Sequence, residues 1–244
     1  MPSVTLAILD TDNHNLAKFA VDQCVSKFDF DNVVVFSDKD FPGYPLVTIN
    51  KITDIEQYQY FMLKDLINFI ETDFVLCIQF DGFILNSDCW NPLFFDYDYI
   101  GAPWARSDHG CKNVGNGGFS LRSRKLLEFV ANKLERYNHI GINEDVVICK
   151  TLAPDIIKSN LHFAPDTIAS HFSYETYRYR YKTFGYHGSY LMPEVFNNLG
   201  LLEYLLDNLS IRVLKKYEQV LLREFSSYGH EYGQKFLERI QNES

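Results

Sequence analysis

The first half of the chain alternates two kinds of segment, and their order limits the fold more than any other feature. "SVTLAILD", "NVVVFSD" and "DFVLCIQFDGF" are apolar runs of strand length, each closing on polar residues. Between them, "NLAKFAVDQCVSKF" and "DIEQYQYFMLKDLINFIET" repeat apolar residues at helical spacing, and Asp54 opens the second. "YDYIGAPW" reads as a further strand. A β-α-β-α-β order predicts an α/β fold with a mostly parallel central sheet flanked by helices. The strands ending near Asp10, Ser37 and Asp81 should be parallel neighbours whose ends open into one cleft.

Ligands of such sheets bind at the C-terminal strand ends. Three loops fall there: Asp10 to Asn13, Ser37 to Asp40, and Asp81 to Gly82. None is a Gly-x-Gly-x-x-Gly or Walker loop, so the usual dinucleotide and P-loop signatures are absent from the sequence.

Beyond residue 100 the pattern loosens. "SRKLLEFVANKLERY" is helical, "EDVVICKTL" starts a helix or a short strand, and "SYETYRYRYKTFGYHGSYL" is rich in Tyr and Arg. From Pro193 onward everything reads as helix, with Ile211, Leu214, Leu221 and Phe225 roughly on one face. That face suits packing on the domain or on a second copy. The expected partition is a domain over 1–192 and a helical extension over 193–244.

Composition narrows the function. The chain has 244 residues, 46% hydrophobic and 16% aromatic, so it can build a large core. Its net charge of -9 argues against a duplex nucleic-acid binder, which needs a basic face. Cys24, Cys77, Cys89, Cys111 and Cys149 are scattered without the two-residue spacing of zinc or redox sites. Reduced thiols in a cytoplasmic protein are expected. "MPSVTLAILD" has no basic start or long apolar stretch, and no segment reaches the roughly 20 apolar residues of a membrane span. Membrane association is expected to be peripheral at most.

"NVGNGGFSLRS" concentrates glycine in one place, which needs a reason because glycine loses backbone entropy on folding. Either the chain turns sharply or something approaches the backbone closely. Asp81 ends an apolar strand, with Gln79 on the same side of it. Asp-Gly is also a common turn pair. Glu144 and Asp145 precede an apolar run, as helix-opening acids or as a general base. Consecutive residues there diverge by about 100°, so one of the two should look directly into a cleft. His187 is bracketed by glycines in "FGYHG", and is structural, simply exposed, or a metal ligand.

A strand-end Asp, a Gly/Asn loop, Glu-Asp and a Gly-bracketed His, in that order, resemble GT-A-fold glycosyltransferases. More closely, the segments "YFMLKDL", "QFDGFILNSDCW", "YDYIGAPW", "VGNGGFSLRS", "EDVVIC", "FAPDTIASHFSYE" and "TFGYHG" resemble a bacterial and viral family described as glycosyltransferase-like. The resemblance runs from about Tyr60 to Gly188. It implies a GT-A-like, Rossmann-like sheet and transfer of a sugar from a nucleotide sugar to an acceptor hydroxyl, with inversion. The acceptor would be a glycan or glycolipid in surface polysaccharide synthesis.

The same resemblance assigns roles. Asp145 would be the base, with Glu144 shaping the helix start or touching the acceptor. Thr11, Asp12, Asp38, Lys64, Gln79, Asp81, Gly82, Asn116, Gly117 and Gly118 would hold the donor, and Trp104 the sugar or acceptor. Asp81 and His187 would share Mn²⁺ or Mg²⁺ with the diphosphate, or Lys64 would supply the charge. Gln79 stands where such enzymes carry the first acid of Asp-x-Asp. Two rivals remain: a sugar-phosphate nucleotidyltransferase, and a non-catalytic sugar-binding module with a degenerate site.

Overall fold

The computed structural model describes residues 1–104, 114–134, 142–175 and 181–242. Cys111, Asn113 and the centre of the Tyr/Arg-rich stretch lie outside the described residues. The strands are β1 (Val4–Leu9), β2 (Asn32–Ser37), β3 (Leu46–Thr48), β4 (Phe74–Ile78), β5 (Gly82–Ile84), β6 (Tyr99–Ile100), β7 (Phe119–Ser123), β8 (Ser173–Tyr174) and β9 (Gly185–His187). The helices are α1 (His14–Val25), α2 (Ile55–Tyr60), α3 (Arg124–Lys133), α4 (Glu144–Val146), α5 (Ala153–Lys158) and α6 (Asp166–Phe172). Five more close the chain: α7 (Met192–Asn198), α8 (Leu202–Asn208), α9 (Ile211–Lys216), α10 (Glu218–Tyr228) and α11 (His230–Asn242).

Six strands form the main sheet in the order β3-β2-β1-β4-β7-β6. β3, β2, β1 and β4 run parallel. Their order follows from the alternation of apolar runs and helices, because a strand can rejoin a parallel neighbour only through a crossover. All six β1 residues are buried, as a strand covered on both faces requires. The ends of β1, β2 and β4 therefore do emerge side by side.

Two departures from the sequence reading matter for the site. "DFVLCIQFDGF" is not one strand. The chain turns at Gln79, whose carbonyl accepts the Gly82 N–H at 3.1 Å, and β5 joins a separate small sheet in the order β5-β9-β8. The second departure is β7, which enters the main sheet between β4 and the edge strand β6, antiparallel to both. Its residues FSLRS looked like the tail of a glycine loop. They contain no apolar run, because Ser120 and Arg122 point into the core as a polar pair.

The end of the chain is helical as expected, although the long amphipathic stretch breaks at Tyr217 into α9 and α10. Leu214, Leu221 and Phe225 are buried, while Ile211 is partly so. Phe19 of α1, Phe83 of β5 and Phe196 of α7 meet with ring centroids 4.9–6.1 Å apart, tying the extension to the sheet. Among the described residues, no helix is long and apolar enough to cross a membrane. Cys24, Cys77, Cys89 and Cys149 are free thiols.

Candidate active site

A cleft of about 490 Å³ opens over the C-terminal ends of β1 and β4. The β1 end supplies Asp10, Thr11, Asp12 and Asn13, and the β4 end supplies Gln79, Phe80 and Asp81. Asn116, Gly117 and Gly118 form one wall with Trp104, and Glu144 and Asp145 another. His187 and Glu175 come from the small sheet.

Asp10 carries the sharpest turn out of β1. One oxygen, Oδ1, accepts the N–H of Asp12 at 2.9 Å and of Asn13 at 2.6 Å. Burial pushes its carboxyl up to about 6, against the lowering effect of those two bonds. A strand end that keeps a carboxylate at such a cost is a functional signal. The sign of the linkage is clear. The folded chain holds a proton that the unfolded chain releases, so Asp10 favours folding below about pH 4, and this contribution is lost as pH rises to about 6. Burying the ionised form costs about 3 kcal/mol at neutral pH. Asp10→Asn keeps the single accepting oxygen and should raise stability to urea at pH 7.5 by up to about 3 kcal/mol. The gain should shrink to about 1 kcal/mol near pH 4.5 and toward zero below about pH 4. A variant less stable than the parent at pH 7.5 would contradict this account.

β5 pairs with β9 so that Gly82 stands opposite His187. That register brings His187 beside Asp81 across 106 intervening steps of chain (187 − 81), with Nε2 to Oδ1 at 3.5 Å. The Ser189 hydroxyl donates to the other Asp81 oxygen at 2.5 Å. His187 Nδ1 meets Glu175 at 3.1 Å, and Nε2 meets the Gln79 amide oxygen at 3.2 Å. Gln79 presents that oxygen because its amide nitrogen donates to the Tyr58 hydroxyl at 2.6 Å. Burial pulls the His187 pKa down, but Asp81 and Glu175 outweigh it and hold it well above the usual value. Asp81 is pushed up by burial, yet His187 and Ser189 bring it below the ordinary range.

This cluster does not suit a divalent cation. Both ring nitrogens of His187 already face oxygen atoms, Nδ1 that of Glu175 and Nε2 those of Gln79 and Asp81, so neither is turned to an open position. Among the described residues, no group of three His, Cys, Asp or Glu could hold an ion. Asp81 and His187, expected to share a metal, instead meet each other directly, and Ser189 takes the second Asp81 oxygen.

The glycines are explained by close approach. A Cβ on Gly115 would lie 2.0 Å from the Trp104 ring, on Gly117 1.8 Å from the Glu144 carboxylate, and on Gly118 2.1 Å from His187 Nε2. Each glycine seats one side chain of the cleft. Between them, Asn116 adopts φ 60, a left-handed conformation that Asn tolerates. Its side-chain amide donates to the Ala102 carbonyl at 3.0 Å, and its backbone N–H donates to Asp145 Oδ2 at 2.8 Å.

Glu144 and Asp145 begin α4, which continues as a π-turn through Val147–Thr151. Both line the cleft, but their carboxylates are engaged differently. Glu144 reaches under Gly117 to Arg122, at 3.2 Å in a fully buried ion pair. Burial raises the Glu144 pKa, with Arg122 opposing. Arg122 also donates to Ser120 at 3.0 Å and to the Gly117 carbonyl at 3.3 Å. The sequence reading missed it; the signal was a charged residue two places from a serine on a short strand. Asp145 keeps accepting capacity toward the cleft, since its two bonds, to the Asn116 and Val146 N–H groups, use half of a carboxylate's four sites.

Three expected donor residues lie elsewhere. The Lys64 ammonium donates to the Ala131 carbonyl at 2.9 Å, because its helix packs on α3 away from the strand ends. Asp38 pairs with His14 at 2.8 Å and does not line the cleft. Gly82 is scaffold: a Cβ there would press to 2.7 Å from the Gly118 carbonyl. Trp104 lines the cleft, with the Lys150 ammonium 4.6 Å from its ring centre.

Residues 45–187 match the family described as "Protein of unknown function (DUF5672)", over more than half of the chain. The chain belongs to this family. No curated protein matches. Among solved structures, the chain is similar to a glycosyltransferase involved in the glycosylation of the major capsid of PBCV-1. Identity is 12% and the TM-score 0.54, over 77% of this chain and 93% of that one. It is also similar to a mannosyltransferase from Pyrobaculum calidifontis in complex with GDP-Man and Mn²⁺, at 14% identity and TM-score 0.45. That match covers 68% of this chain and only 55% of the mannosyltransferase. The fold of this DUF5672 member is α/β, with a mostly parallel central sheet of GT-A-like arrangement.

Proposed function

We propose that the chain is a glycosyltransferase that moves a sugar from a nucleotide-sugar donor to an acceptor hydroxyl with inversion. The observation that carries this reading is the placement of Asp145. It lines the strand-end cleft with free accepting positions, while Asp81, Gln79 and His187 line the same cleft from the β4 end. The fold likeness to a capsid-modifying glycosyltransferase supports it.

In this reading, residues 1–192 form the catalytic unit and 193–244 an extension packed on it. Thr11, Asp12, Gln79, Asp81 and the Asn116–Gly118 loop face the donor, and Trp104 with Glu144 faces the sugar or acceptor. The acceptor oxygen attacks the anomeric carbon as its proton passes to Asp145. The anomeric carbon's bond to the diphosphate breaks, and the bonding electrons leave with the diphosphate. Glu144, held by Arg122, positions the neighbouring Asp145. The acceptor class is a surface glycan or glycolipid.

The test is release of nucleoside diphosphate from a panel of UDP-, GDP-, CDP- and dTDP-sugars, with and without Mn²⁺. Slow release from one donor is expected. Products containing a nucleoside monophosphate would favour the nucleotidyltransferase, and no release from any donor would leave a binding module.

A further inference from the structure

The cleft is strongly acidic for a site that takes a diphosphate. Seven carboxylates are found among its described lining residues, against three cationic side chains, His187, Arg212 and Lys216. His187 is already engaged by Asp81 and Glu175. Arg212 and Lys216 are different. Both sit on α9, four positions apart, so they share one helix face. Both are exposed, and neither forms an ion pair with a described residue.

The position of α9 is built rather than incidental. Ser210 caps the helix, its hydroxyl accepting the Val213 N–H. That hydroxyl donates to Asp12 at 2.8 Å, and the Ser210 backbone N–H donates to Asn13 at 2.9 Å. Asn13 precedes α1 yet makes no side-chain cap there; its side-chain oxygen is committed to α9 instead. Asn15 adds a bond to Asn208 at 2.7 Å. The loop after β1 thus holds α9 at the cleft mouth.

We infer that Arg212 and Lys216 form the diphosphate clamp of the donor site, supplying from the C-terminal extension the positive charge that a divalent cation would otherwise bring. The inference rests on the glycosyltransferase reading. It also lies outside the family match, which ends at residue 187. Arg suits an anion that accepts two parallel N–H bonds, and Lys adds a mobile point charge.

The experiment is calorimetric titration of the full chain with UDP, GDP and inorganic pyrophosphate, in EDTA and again in Mn²⁺. The parent should bind at least one probe in EDTA. Arg212→Ala and Lys216→Ala should each weaken it by about 10-fold, and the double variant by about 100-fold. Arg212→Lys with Lys216→Arg should restore most of the affinity. Lys215→Ala, an exposed change on the same helix outside the cleft, should have no effect. Because the substituted side chains are exposed, unchanged circular dichroism should accompany all variants. Equal binding by parent and double variant would overturn the clamp while leaving the donor reading intact. So would binding that requires Mn²⁺. A parent that binds no probe in either condition would overturn both.

Discussion

Asp145→Asn should lower sugar transfer by about 10²–10⁴-fold while leaving nucleotide-sugar affinity near that of the parent. In the proposed mechanism the base touches the acceptor hydroxyl and not the diphosphate, so the loss belongs in turnover. Asp81→Asn should show the opposite pattern, weakening donor binding, since Asp81 belongs to the His187 cluster at the β4 end. The Asp145 change carries a structural side effect. Its two oxygens accept the Asn116 and Val146 N–H groups, and asparagine offers one oxygen. One buried donor therefore loses its partner, at about 1–3 kcal/mol. A melting curve alongside the kinetics separates this loss from catalysis. Donor hydrolysis serves as the assay until an acceptor is known. An Asp145→Asn protein that transfers at the parent rate would remove the base assignment, and the argument for inversion with it.

The second large effect concerns stability. Arg122→Met should destabilise the fold by about 3–5 kcal/mol, because it leaves the buried Glu144 carboxylate without its charged partner. Arg122 is fully buried on β7, its guanidinium 5.6 Å from the Tyr99 ring centre and 3.2 Å from Glu144. It also donates to the Gly117 carbonyl, which the Ser120 hydroxyl holds as well. Removing both charges tests the cause. Arg122→Met with Glu144→Gln should recover part of the loss, since no unpaired charge then remains. Urea unfolding of the parent, both single variants and the double variant gives the coupling. A single Arg122→Met within about 1 kcal/mol of the parent would show that the ion pair does not hold this wall of the cleft.

How far the sequence spoke depended on whether a residue's partner was nearby. β1, β2 and β4 were readable because each is an unbroken apolar run between polar loops, and the parallel order follows from the helices between them. β7 was not readable. Its burial depends on Arg122 bonding both Ser120 and Glu144, and local pattern reaches the serine two places away but not Glu144, 22 positions on. Lys64 looked like a cleft cation because its helix precedes β4, but only the packing on α3 shows its ammonium bound to Ala131. Asp81 and His187 could be joined by motif order, while Glu175, which meets His187 directly, and Tyr58, which acts through Gln79, could not. The glycine cluster was correctly suspected of close approach. What approaches is the protein's own Trp104, Glu144 and His187.

The bond from Ser210 to Asn13 spans 197 positions. At equilibrium this weighs little, since doubling a loop adds only about 0.6 kcal/mol of closure entropy. In time it weighs more, because folding slows as the mean sequence separation of contacts grows. The parallel strands can find one another through nearby crossovers while α9 is still undocked. A chain caught at that stage would have its sheet and no finished entrance. Recovery of ligand binding during refolding should therefore lag behind recovery of the sheet, and the interval would time the arrival of the last helices.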